Sequence, residues 1–72
     1  MAQNRLWRYD DDYIVGYTED RDVWALIKRN YRFPIMATYH HSIQSKEFAR
    51  QYLIPIAVVD DIRKLFGAKL ER

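Results

Sequence analysis

Tyr13-Ile14-Val15-Gly16-Tyr17-Thr18-Glu19-Asp20-Arg21-Asp22-Val23-Trp24-Ala25-Leu26-Ile27 contains the change of period on which the fold turns. Through Tyr13, Val15 and Tyr17 the large side chains fall on every second residue, the spacing of a strand with two unlike faces. From Val23 they recur at Val23, Trp24, Leu26, Ile27 and Tyr31, on neighbouring turns of a helix. Thr18 or Asp20 can accept from the free amides at the helix start. Acids in the first turn, with Lys28, Arg29 and Arg32 toward the end, match the helix dipole. The pattern predicts a helix over about 19–31, stopped at Phe33-Pro34 because the residue before proline is pushed out of helical geometry.

Working outward, Trp7 and Tyr9 continue the alternation on the far side of Asp10-Asp11-Asp12, whose side chains suit a hairpin turn. Downstream, Ile35–His41 and Glu47–Ile54 read as a second pair of strands joined by a turn at Ser42-Ile43-Gln44-Ser45. Pro55 is tolerated at the start of a helix. Val58, Val59, Ile62, Leu65 and Phe66 then form a stripe that predicts a helix over about 56–66, closed by Gly67. The order is ββαββα, one ββα pattern written twice. The expected fold is α+β: a four-stranded antiparallel sheet with two helices packed on one face, forming one small domain over 1–72 with an ordered core of about 5–67.

Composition limits the function classes. With 72 residues and no cysteine, the chain has neither disulfides nor thiolate metal sites, so its 49% apolar content must supply the core. Twelve basic against ten acidic residues is too even for a dedicated polyelectrolyte binder, which makes the placement of charge more informative than its sum. No apolar run approaches the roughly 20 residues of a membrane span, and the N-terminal residues lack the apolar stretch of a signal peptide. A cytoplasmic protein with no membrane association is expected.

Catalytic and metal signatures are absent from the sequence. There is no phosphate-cradling glycine loop, no cysteine nucleophile and no Gly-x-Ser-x-Gly elbow. Ser42 and Ser45 stand beside His40 and His41 only within an expected turn. Adjacent strand residues point to opposite faces, so His40 and His41 cannot chelate one ion. A non-enzymatic protein without cofactor or metal is expected.

Alternation assigns the sheet faces. Trp7, Tyr9, Tyr13, Val15, Tyr17, Ile35, Ala37, Tyr39, Phe48, Tyr52 and Ile54 form the more apolar set and are expected beneath the helices, with Arg50 placed at an edge or snorkelling outward. The opposite parity would leave a bare face carrying Arg8, Ile14, Met36, Thr38, His40, Gln51 and Leu53. Of these, Arg8, Thr38, His40 and Gln51 can bond base edges or phosphates, while Ile14, Met36 and Leu53 suit a protein interface. Lys28, Arg29, Arg32, Arg63, Lys64 and Lys69, with Arg72, would make a phosphate-contacting rim of basic helix ends.

The run from Tyr13 to Lys28, followed by Phe48–Ile54 and Val58–Phe66, resembles the DNA-binding portion of LAGLIDADG homing endonucleases. That resemblance implies a sheet face laid in the major groove. The family's signature helix, which ends in the catalytic acid, would have to precede Trp7, so the resemblance implies binding without cleavage. The expected function is a nucleic-acid-binding or regulatory protein using the bare sheet face. The alternative is a protein-interaction module: a homodimer, or a small inhibitor or adaptor of a host protein of the kind phages and mobile elements encode.

Overall fold

The computed structural model describes residues 3–41 and 46–71, so the expected turn at Ser42–Ser45 and Arg72 lie outside the described residues. Strands β1 (Asn4–Arg8) and β2 (Tyr13–Thr18) form the first hairpin. Helix α1 (Arg21–Asn30), strands β3 (Ile35–His41) and β4 (Lys46–Pro55), a 3₁₀ turn (Ile56–Val58), helix α2 (Val59–Phe66) and β5 (Leu70–Glu71) follow. The architecture is α+β, with one sheet ordered β3-β4-β2-β1-β5. Four strands pair antiparallel as expected. The fifth, β5, runs parallel to β1 and makes the sheet mixed. Two residues are too few to show a period, and so β5 leaves no pattern in the sequence.

Local chemistry accounts for the ends of the elements. Asp10 Oδ1 accepts from the amides of Asp12 and Tyr13 at 2.8 Å each, which fixes the acidic triplet as the hairpin turn. Asp20 caps α1 through Oδ1, accepting from Asp22 N at 2.9 Å, and Asp20 N itself donates to Thr18 Oγ1 at 3.0 Å. Gly67 adopts the left-handed conformation (φ 60°) at the end of α2. The second helix begins later than expected because Pro55 leads into a tighter 3₁₀ turn before α2 proper.

The largest correction concerns which side of β1 and β2 the helices cover. In the antiparallel β2–β4 ladder Ile14 lies opposite Ile54, Gly16 opposite Tyr52 and Thr18 opposite Arg50, and residues directly opposite share a face. The covered face of β1 and β2 is therefore the even set: Leu6, Ile14 and Thr18 are each 0% exposed. They join Tyr52, Ile54, Val23, Trp24, Ile27, Ile62 and Phe66 in the core. Gly16 explains why the weaker-looking set goes inside. A Cβ there would stand 2.7 Å from Ile54 Cδ1 and 2.8 Å from Phe66 Cζ, so the missing side chain is the space that α2 fills.

A buried polar thread joins the layers. Thr18 Oγ1 and Asn4 Oδ1 are 2.6 Å apart, Asn4 Nδ2 donates to the carbonyl of Phe66 at 3.0 Å, and Trp24 Nε1 donates to the carbonyl of Thr18 at 3.1 Å. These bonds tie β1, β2, α1 and α2 together at one end of the sheet and leave no buried side-chain polar atom unpartnered among the described residues.

Candidate interaction face

The inverted parity gives the uncovered side of the sheet a composition unlike the expected one. One cross-strand row runs Trp7, Val15, Leu53; the next runs Arg5, Tyr17, Gln51, Ala37; and Ala49 stands opposite Tyr39. Two irregularities in the β3–β4 register enlarge the face. A bulge at Met36 brings its sulfur to 4.0 Å from Gln51 Nε2. A second, at Phe48, lets that ring stack on His41 with centroids 4.7 Å apart and meet Tyr39 at 6.3 Å. Tyr39 closes the set by an edge-on contact with Tyr17 at 5.7 Å and by donating its hydroxyl to Gln51 Oε1 at 2.8 Å.

Side chains packed this way shield each other without a covering layer. Val15 is only 1% exposed and Ala49 0%, although no helix lies on this side. Tyr13, Tyr39 and Met36 remain 37%, 38% and 41% exposed. The charges on this face are Arg5 and Glu71, which pair, the Glu19 carboxylate beside Tyr17, and Lys46 opposite His41. Arg5 holds Glu71 through Nε at 3.0 Å and Nη2 at 2.8 Å, and its guanidinium lies 5.8 Å from the Trp7 ring centre. Tyr17 donates to Glu19 Oε2 at 2.7 Å; burial first, then this bond and the carboxylate charge, push the phenol up to about 12.

The expected binding residues do not converge. Gln51, Leu53 and Met36 are on the uncovered side, as expected. Ile14 is not: it is core, because its register partner Ile54 faces the helices. Arg8 opposes Ile14 on the helix side and folds back on the acidic turn, with Nη2 3.2 Å from Asp11 Oδ1. Thr38 opposes Arg50, and His40 opposes Glu47, which places both on the helix side of the exposed β3–β4 end. The four residues expected to read a groove together are thus divided between two faces.

Arg50, the exception in the expected buried set, is neither at an edge nor snorkelling. Its guanidinium lies 4.6 Å from the Trp24 ring centre and is held by Glu47 through Nε at 2.6 Å and Nη2 at 3.0 Å. The Glu47 carboxyl is lowered by that bidentate bond.

The expected phosphate rim separates into two groups on the helices. Lys28 and Arg29 lie in the last turn of α1, and Arg32 stands two residues beyond it. Arg63, Lys64 and Lys69 surround a shallow depression at the end of α2, where Arg63 approaches Asp60 at 4.0 Å.

Sequence reasoning missed Trp7, Val15, Tyr17 and Tyr39 as members of that face. The available signal was Gly16, a residue without a side chain in mid-strand, which marks the side that a helix approaches closely. Among the described residues no group of three or more His, Cys, Asp or Glu is placed to hold a metal, and no helix is long and apolar enough to cross a membrane. Comparisons with protein-family models, curated proteins and solved structures gave no match to this chain.

Proposed function

We propose that this chain is a non-catalytic interaction module that pairs with a second copy of itself through the uncovered sheet face. The observation that carries this reading is that Trp7, Tyr17, Leu53, Gln51, Met36 and Tyr39 share the uncovered side of the sheet and present aromatic and apolar area there. Aromatic residues and methionine are the types enriched where proteins meet, and an apolar face of this kind is more than solvent exposure needs. Of its charges, Arg5 and Glu71 neutralise each other in place, and Glu19 and Lys46 remain, one of each sign.

A nucleic-acid partner on this face has less support, since Lys28, Arg29, Arg32, Lys64 and Lys69 lie in or just beyond the last turns of the helices, and only Lys46, opposite His41, stands beside the aromatic rows without an ion pair among the described residues.

Light scattering over a concentration series tests the proposal. The expected mass is twice the 8.8 kDa of the chain. Met36→Asp and Leu53→Asp should each weaken the pairing about tenfold or more, as charges placed in the centre of an apolar contact do, while Lys64→Glu leaves it unchanged. A chain that stays at 8.8 kDa at every concentration contradicts the proposal.

A further inference from the structure

The helices leave part of their own side of the sheet open. Beyond the last turn of α1, above β3 and β4, lies a cleft of about 380 Å³. Its floor is Ile27 and Tyr52, only 2% and 3% exposed. One wall is the stacked pair Tyr31 and Phe33, with ring centres 4.7 Å apart and planes at 19°. Ile35, half of its surface exposed, borders the opening.

Three cations complete the lining, Lys28, Arg32 and Arg50, and no acidic residue is among it. Lys28 and Arg32 enter no ion pair among the described residues. Arg50 is held in place by Glu47 through Nε and Nη2, which leaves Nη1 as the guanidinium nitrogen not engaged there.

We propose that this cleft binds a nucleoside monophosphate, one planar ring system carrying a dianionic phosphate. Its volume is at the small end of the roughly 300–1,000 Å³ range of ligand pockets, enough for one base and sugar and too little for a dinucleotide. The aromatic wall and apolar floor supply a stacking slot for the base. Lys28 and Arg32 at the rim, with the fixed Arg50, supply charge-assisted donors for the phosphate. The negative end of the α1 dipole opposes an anion here, but the two unpaired cations, Lys28 and Arg32, outweigh its half charge, while the charge of Arg50 is matched by Glu47. The same chemistry is offered by a free mononucleotide and by the 5′-phosphorylated end of a strand. Because the cleft is on the opposite side of the sheet from the self-pairing face, this inference stands independently of the proposed pairing.

Backbone amide shifts of the whole chain, followed by NMR in low salt, test it with four probes: adenosine monophosphate, adenosine, inorganic phosphate and a 5′-phosphorylated tetra-adenylate. Saturable shifts confined to residues 27–33 and 50–52 are expected with the monophosphate, which should bind about tenfold or more tighter than adenosine or phosphate alone. Lys28→Ala and Arg32→Ala should each weaken it about fivefold, the upper range for exposed charge contacts, without changing the rest of the spectrum. Tighter binding of the tetra-adenylate identifies a strand end as the source, and equal binding identifies the free nucleotide. Absence of saturation at millimolar monophosphate, shifts located elsewhere, phosphate binding as tightly as the monophosphate, or both variants binding like the parent would each overturn the proposal.

Discussion

At the scale of single residues, Gly16 and Thr18 decide which side of β2 is inside. Gly16→Ala inserts a methyl within 3 Å of Ile54 and Phe66, side chains fixed on both sides. Urea unfolding should show a loss of about 1–3 kcal/mol with an unchanged slope, the usual cost of overpacking. Thr18→Val keeps the shape but removes the hydroxyl that meets Asn4 Oδ1 and Asp20 N. Leaving those groups without a partner should cost about 1–3 kcal/mol in the same measurement. Tyr17 is the residue with a distinct titration. Its phenol ionises at about 12 in the folded chain against about 10 in the unfolded one. Its stabilising contribution is therefore complete below pH 10 and is lost as pH rises toward 12. Absorbance at the phenolate band should show a step near pH 12 that Tyr17→Phe removes, and Glu19→Gln should bring that step down.

At the scale of elements, the strand pair β3–β4 extends past the helices and is held by side chains more than by a covering layer. Glu47 and Arg50 brace the bulge at Phe48, and Arg21 Nη2 donates to the carbonyl of Glu47 at 3.0 Å. Since the folded Glu47 carboxyl is lowered, its contribution is present above the unfolded value and is lost as pH falls through the folded one. The protection of the β4 amides against exchange, taken relative to the intrinsic rate at each pH, should accordingly fall as acid titrates Glu47, while Glu47→Gln should show the lower protection already at neutral pH. The helices, the first hairpin, the pair Thr18 and Asp20 from which the cap is drawn, and the closing glycine are legible because each depends on residues close together in sequence: the period of Val23, Trp24 and Ile27, the turn of Asp10 to Asp12, the left-handed Gly67. The pairing of β2 with β4 depends on residues some forty positions apart, such as Ile14 with Ile54, and no local period encodes it. A one-residue difference in that register exchanges the faces. For that reason Gln51, Leu53 and Met36 were placed on the uncovered side, while Ile14 and the aromatic rows were assigned to the wrong one.

At the scale of the whole molecule, the sheet has two apolar sides and helices enough to cover one. The helix side takes the interdigitating set around Gly16, and the other side is left with aromatic rows beside the Arg5–Glu71 pair. A small chain gains much from covering such a surface, since a domain of this length buries only about 60% of its unfolded surface alone. The most direct test is the solvent accessibility of methyl groups to a soluble paramagnetic reagent, measured on the labelled chain from dilute to concentrated solution. Met36 and Leu53 should lose their relaxation enhancement as concentration rises, while Leu65 on the helix side keeps it. Unchanged enhancement at Met36 and Leu53 throughout, or protection of Leu65 in their place, would contradict the pairing of two copies through the open sheet face.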